Sequence, residues 1–252
     1  MRGITKIVLA VAGGVMVASQ AMAQSDAQPT TQSSYDELME EYLLVDVTTL
    51  DSTILVDLRY SSTDNFVGED MYGDLERAYL TPAVAHSVAL AQRLLRERYP
   101  EYTLLIYDAA RPISVQRKMR SLVEGTPLEK YVADGTRGGR HNYGVAVDLT
   151  IAYLDGTPLD MGAEFDEFSP ASAVKGTPDT CDPSTRQPLV YSTYLDGMVR
   201  RGVIREEHAR NRMILIEVMS MAGLVPYRNE WWHFEQMRPM SEVRINERLL
   251  DF

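Results

Sequence analysis

Residues 138–151 have the sequence GGRHNYGVAVDLTI, and they are the most informative segment for the fold. From Val145 onwards the apolar residues alternate, which predicts a β-strand with one face towards a core. Asp148 lies on the opposite face of that strand, and His141 lies just before the strand begins. The segment therefore predicts a strand that brings a histidine and a carboxylate close together near its start.

The preceding residues predict alternating helices and strands. Thr81-Pro82 is a typical helix start, with a hydroxyl at the N-cap and proline in the first turn, and Pro100 should end this helix. Its apolar stripe is Val84, Val88, Ala91 and Leu95. A buried strand is predicted over residues 103–107. Asp108 to Pro112 form the loop to a helix with the stripe Val115, Met119, Leu122 and Val123.

The second half of the chain predicts a long loop followed by a helix and a strand. Residues 165–197 are rich in Pro, Ser, Thr and Asp, which favours a surface loop or lid. A helix is predicted from Glu206 to Ala222, stopped at Gly223, and residues 230–234 predict a final strand. We therefore expect an α+β fold, a small antiparallel sheet with flanking helices and a metal at one end of the sheet.

The first residues predict export. Arg2 and Lys6 precede an apolar run over about residues 7–17, and a small-residue cleavage signal follows at residues 21–23. Residues 1–23 therefore resemble a signal peptide, and residues 24–45 predict a flexible polar segment. A periplasmic location fits best, with no membrane anchor after cleavage. Cys181 is the only cysteine, so no intramolecular disulfide can form.

The charge balance argues against two classes of partner. The formal net charge of the 252 residues is -11, whereas nucleic acids and anionic membranes attract basic patches. Charge does not discriminate among enzymes, and the oligomeric state is not predicted.

A set of metal-ligand residues stands out among only four histidines. Two histidines and one aspartate, His141, Asp148 and His233, match the three protein ligands of a catalytic zinc, which keeps its fourth position open. Glu230, close to His233, is suited to take the proton of an attacking water. An ideal strand would put Glu230 and His233 on opposite faces, so a helical turn, a bulge or a bend is needed. The residues alone leave open hydrogen-bonded structural histidines and core tryptophans.

Three segments together resemble a known family. The His141-x6-Asp148 segment, Glu230-Trp-Trp-His233, and the loop from Asp108 to Arg111-Pro112 are similar to the D-alanyl-D-alanine dipeptidases. These are the VanX-like zinc D,D-dipeptidases of peptidase family M15. The resemblance runs in order from about residue 57 to residue 234, and it implies the fold shared by Hedgehog proteins and D,D-peptidases for residues 46–252.

The resemblance also implies roles for individual residues. It assigns one zinc per chain to His141, Asp148 and His233, the catalytic base to Glu230, and stabilisation of the oxyanion to Arg111. The planar fork of Arg111 suits that role, although a surface salt bridge is the alternative from its loop position.

Two further residues are implied in substrate binding. By the resemblance, Asp166 meets the substrate ammonium and Tyr60 lines the pocket, although Asp166 could also be a solvated loop acid. Family members often have Ser two residues before the first ligand, and this chain has Gly139. One hydrogen bond to the substrate is then missing.

The expected function is zinc-dependent hydrolysis of the dipeptide D-Ala-D-Ala to two D-alanine molecules. One alternative is a D,D-carboxypeptidase or endopeptidase that acts on longer peptidoglycan peptides. Another is a wall-binding protein with structural zinc. The remaining histidines, His86 and His208, lie within predicted helices and are expected to be surface or packing residues.

Overall fold

The computed structural model describes residues 34–175 and 189–252. The predicted signal peptide, residues 24–33 of the polar segment and Cys181 lie outside these ranges. Within them, no helix is long and apolar enough to cross a membrane.

A five-stranded sheet forms the centre of the fold. Its strand order is β2-β4-β5-β7-β6, and a separate pair of strands, β1 and β3, forms a second small sheet. The strands are β1 Val45–Asp46, β2 Leu55–Val56, β3 Tyr79–Leu80, β4 Tyr102–Asp108, β5 Ala146–Tyr153, β6 Leu224–Pro226 and β7 His233–Gln236. Six α-helices occur in the described residues: α1 Tyr35–Glu41, α2 Pro82–Arg98, α3 Ile113–Val123, α4 Leu189–Arg200, α5 Glu206–Met221 and α6 Met240–Asn246. The α+β class is confirmed, while the closer likeness to Hedgehog proteins stays a prediction.

The expectation of a wholly antiparallel sheet is wrong at one edge. Strand β2 pairs with β4 in parallel, whereas the pairs β4–β5, β5–β7 and β7–β6 are antiparallel. Parallel neighbours need a long crossover connection. The chain makes that connection through α2, which packs against β4 and α5.

The end of the segment expected to be flexible is ordered. Ser34 and Glu37 form a reciprocal capping box that starts α1, and Met39 of this helix is fully buried. An apolar anchor and a satisfied helix start outweigh the polar composition here, so the flexible segment cannot extend over residues 34–45.

Helix α2 follows the prediction except at its cap. All four residues of the predicted stripe are fully buried, and the helix ends at Arg98. The Thr81 hydroxyl, however, is buried without a hydrogen-bond partner, and the backbone N–H of Thr81 instead donates to Gly144 O at 2.9 Å. Thr81 therefore connects α2 to the segment before β5 rather than capping the helix.

Two other patterns were only partly correct. Leu122 of α3 is 37% exposed, whereas the other three residues of its predicted stripe are buried. Helix α4 begins within the segment expected to be a loop and continues past its expected end at residue 197, although residues 176–188 are outside the described ranges. Tyr191, Leu195 and Met198 are buried at helical spacing, and their stripe was hidden among polar residues.

Helix α5 ends as expected, followed by Gly223 with φ of +88°.

Candidate active site

Three potential metal ligands meet where β5 and β7 lie side by side. Asp148 and His233 are direct cross-strand partners. His141 starts a short 3-10 turn, His141–Tyr143, and Gly144 in the left-handed conformation then leads the chain towards β5. A Cβ on Gly144 would lie 3.0 Å from a Leu44 side-chain carbon and 3.3 Å from Thr81 N, so this approach needs glycine.

The three ligand atoms face one another at distances suited to one bound ion. Asp148 Oδ1 lies 3.0 Å from His233 Nδ1 and 3.4 Å from His141 Nε2, and the two nitrogens are 3.1 Å apart. Together they form the metal-binding cluster His141, Asp148 and His233. Two imidazoles and a carboxylate in such an array suit a transition-metal ion.

The buried carboxylate supports this assignment. Asp148 Oδ1 is buried and, although it is close to His233 Nδ1, it has no partner with hydrogen-bond geometry. Burial alone lowers the pKa of His233, but the nearby carboxylates of Asp148 and Glu235 raise it to about 10. The cluster therefore attracts positive charge, and a metal ion would also satisfy the unpaired oxygen.

Both histidines are held by hydrogen bonds on the side away from the ligand cluster. His141 Nδ1 lies 2.7 Å from Ala109 O, so it donates there and Nε2 is the nitrogen that faces the ligand cluster. His233 Nε2 lies 3.1 Å from Glu235 Oε2, and the same oxygen forms an ion pair with Arg140, whose Nε is 2.6 Å away. These contacts fix the tautomers that a metal requires. No role was predicted for Glu235 or Arg140 from the sequence, although both lie within two residues of a predicted ligand.

A bend resolves the spacing between Glu230 and His233. Strand β7 begins at His233, not at residue 230, and Trp231 and Trp232 form a bend before it. Glu230 Oε2 consequently lies 4.0 Å from His233 Nδ1. Burial raises the pKa of Glu230; the charge of His233 partly opposes this effect, and the negative charge of Asp148 adds to it. Both tryptophans are buried, as core residues would be.

Arg111 lies in the site rather than in a surface salt bridge. Its Nε donates to Asp108 Oδ2 at 3.2 Å, and its Nη1 donates to Gln116 Oε1 at 3.0 Å. Tyr72 donates to the other oxygen of the fully buried Asp108 at 2.5 Å. The Arg111 backbone N–H also donates to His141 O at 3.0 Å, so the guanidinium is fixed relative to the ligand cluster. Asp108 was part of the predicted motif, but no role had been assigned to it.

Asp166 and Tyr60 form the other wall of the site. Tyr60 donates to Asp166 Oδ2 at 2.7 Å, and the Arg111 guanidinium lies 4.9 Å from the centre of the Tyr60 ring. Asp166 has φ of +59°, an unusual conformation outside glycine that marks a constrained position. Its removal from water raises the pKa of Asp166 well above the usual range, although the Tyr60 bond lowers it. This environment differs from that of a solvated loop acid.

One cavity of about 330 Å³ brings together all the predicted site residues, Tyr60, Arg111, His141, Asp148, Asp166, Glu230 and His233. Gly139 also lines it, together with the aromatic residues Phe66, Tyr131, Phe168, Tyr227 and Trp232. A cavity of this size, with several charged groups and aromatic walls, suits a small polar ligand. The individual roles of these residues stay predictions.

The remaining histidines lie elsewhere. His86 is exposed on α2, and its Nδ1 lies 2.7 Å from Pro82 O. His208 is buried on α5, with Nε2 3.1 Å from Asp160 Oδ2. Neither lines the cavity, which agrees with their expected surface and packing roles.

Comparisons with known proteins identify a single family. The family model Peptidase_M15, described as D-ala-D-ala dipeptidase, matches residues 40–187 and 197–252. A D-alanyl-D-alanine dipeptidase of Escherichia coli strain K12 is 32% identical over 196 residues, covering 76% of this chain and 83% of that protein. A D-alanyl-D-alanine dipeptidase of Synechocystis sp. is 28% identical over 187 residues, covering 63% of this chain and 69% of that protein.

Proposed function

Because this chain belongs to the Peptidase_M15 family of D-Ala-D-Ala dipeptidases, we propose that it hydrolyses D-Ala-D-Ala to two D-alanine molecules with one bound zinc ion. Membership makes the chain a peptidase and supports a dipeptide as substrate. The observation that carries the finer proposal is one cavity in which Glu230 and Arg111 both lie beside the ligand cluster.

His141, Asp148 and His233 would hold the metal. Their two nitrogens and one oxygen favour zinc over the oxygen-preferring ions Mg²⁺ and Ca²⁺. When bound, zinc supplies a Lewis acid that polarises the carbonyl group and lowers the pKa of water.

Glu230 would take the proton of the attacking water. Its raised pKa suits a base that must later release the same proton to the leaving amine. The water oxygen would become part of the new carboxylate, the carbon–nitrogen bond would break, and the two products would be free D-alanine molecules.

Arg111 would stabilise the negative charge that develops on the carbonyl oxygen. Asp108 and Gln116 hold the guanidinium in place, so little reorganisation is needed as that charge forms. Asp166 would bind the substrate ammonium, and Tyr60 would orient the carboxylate of Asp166.

We propose a periplasmic location from the first 23 residues alone, which have the basic start, apolar run and cleavage site of a signal peptide. Such an enzyme would degrade dipeptides released by wall turnover or taken up as nutrients.

The direct test is D-alanine release from D-Ala-D-Ala by the purified protein, before and after metal removal by a chelator. We expect activity that is lost with the metal and restored by zinc. A His233→Ala variant should lose most of its bound metal in elemental analysis. Turnover that persists in fully metal-free protein would contradict the zinc proposal, and no D-alanine release by zinc-loaded protein would contradict the substrate.

A further inference from the structure

Two cavities meet beside the proposed catalytic base. The second cavity measures about 500 Å³, and its own lining includes Lys130, Ser169, Pro170, Ala173, Lys175 and Asn229. Four residues line both cavities, namely Tyr131, Phe168, Tyr227 and Glu230. These shared residues form the partition between the two spaces.

A stacked aromatic pair is the main part of this partition. The rings of Tyr131 and Phe168 are nearly parallel, at 9°, with centroids 4.4 Å apart. Tyr131 Oη donates to Phe168 O at 3.3 Å, and Phe66 packs edge-on against Phe168 at 5.4 Å. Stacking and edge-on contacts each stabilise such a pair modestly. The partition is therefore closed by side chains that could be removed without cutting a strand or helix.

Buried or partly buried arginines anchor the two loops that carry these rings. Arg120 Nη1 donates to Glu129 O and Val132 O, both at 2.6 Å, on either side of Tyr131. Arg212 donates to Met161 O and Ala171 O, both at 2.7 Å, on either side of Phe168. The two rings are thus held in fixed positions, as a specificity wall requires.

The two cavities differ in which of the proposed substrate-contacting groups line them. Asp166, the proposed partner of the substrate ammonium, lines the first cavity but not the second. Glu230, which would return its proton to the leaving amine, lines both. A substrate extension that enters the second cavity would therefore pass Glu230 and not Asp166, and Lys130 and Lys175 there offer positive charge to a peptide carboxylate.

We propose that Tyr131 and Phe168 set the length of the substrate. The stacked pair closes the cavity just beyond the second residue of a dipeptide. Without it, the cavity joins the second one and accepts peptides extended at the carboxyl end, with the amino end still held by Asp166. This inference rests on the proposed dipeptidase function.

The test compares kcat/KM for D-Ala-D-Ala and D-Ala-D-Ala-D-Ala in the zinc-loaded wild type, Tyr131→Ala and Phe168→Ala. We expect the ratio that favours the dipeptide to fall about tenfold or more in each variant, the range by which pockets discriminate small groups. The tripeptide should yield D-alanine and D-Ala-D-Ala as first products.

Two controls separate a change in substrate-length preference from misfolding or an unspecific change in activity. Tyr131→Phe keeps the ring and loses only the hydroxyl, so its ratio should match that of the wild type. N-acetyl-D-Ala-D-Ala should stay a poor substrate of every variant, because the Asp166 side is unchanged. Melting temperature and zinc content establish that each variant is folded.

Three results would overturn the inference. The first is an unchanged ratio in both alanine variants, and the second is loss of both activities in folded, zinc-loaded protein. The third is an equal gain on the acetylated dipeptide, which would put the new space at the amino end. A wild type that fails to cleave D-Ala-D-Ala would instead contradict the proposed function, so the two failures are distinguishable.

Discussion

Replacing Glu235 by alanine should weaken zinc binding without removing any ligand. In the structure Glu235 Oε2 accepts a hydrogen bond from His233 Nε2 at 3.1 Å, and Arg140 Nε lies 2.6 Å from the same oxygen. Without the carboxylate, His233 loses the contact that selects its tautomer and fixes its ring. Loss of such a partner typically costs about 10- to 100-fold in metal affinity, or about 1.4–2.8 kcal/mol.

The effect of Glu235 on zinc binding can be measured without displacing its ion-pair partner Arg140. Arg140 also donates to Arg238 O at 2.6 Å, so it stays anchored when Glu235 is removed. The assay is competition for zinc between the metal-free protein and a chromophoric chelator. Glu247→Ala is a matched control, since Glu247 forms a similarly half-buried ion pair with Arg238 at 2.7 Å but does not contact a histidine. Equal zinc affinities of the two variants would refute the reasoning.

Four further predictions concern the proposed catalytic and binding groups. Glu230→Ala should keep its zinc in elemental analysis but lose about 10²–10⁴-fold in kcat, since proton transfer fails; near-normal turnover would exclude it as the base. Arg111→Lys should retain metal and recover little kcat/KM relative to Arg111→Ala, because a point charge cannot reproduce a planar fork; a fully active Lys variant would contradict the oxyanion role. Acetylation of the substrate amine leaves Asp166 unpaired, so it should lower kcat/KM by a factor equivalent to about 2–5 kcal/mol. Asp166→Asn should reduce this preference for the free amine. Equal cleavage of the free and the acetylated dipeptide would favour a carboxypeptidase. Because burial raises the pKa of Asp166, lowering the pH should protonate Asp166 at a higher pH than it would an exposed aspartate. KM should therefore rise on acidification, and Asp166→Asn should lack this effect.

Local patterns were sufficient for the elements that carry the ligand cluster. Alternation from Val145 to Ile151 predicted β5. The donor types of His141, Asp148 and His233, together with the family resemblance, predicted a cluster that the structure brings within 3.0–3.4 Å. These features depend on neighbouring residues or on general metal chemistry. They are therefore visible in one sequence.

Features that depend on distant segments were not predictable in the same way. The parallel pairing of β2 with β4 depends on where α2 crosses the sheet, which hydropathy does not report. Glu235 and Arg140 are 95 residues apart in the chain, so their ion pair is visible only after folding. The bend at Trp231 and Trp232 was one of three open alternatives, because no turn residue marks it.

Because Asp148 and His233 are cross-strand partners on β5 and β7, metal binding depends on the correct register of these two strands. A shift of one residue between these strands would move the two side chains to opposite faces of the sheet and separate the ligands. Slipped chains would then stay metal-free, while bound metal would stabilise only the correctly paired sheet. In a purified preparation, the zinc content per chain would therefore measure the fraction of molecules whose central strands are in register.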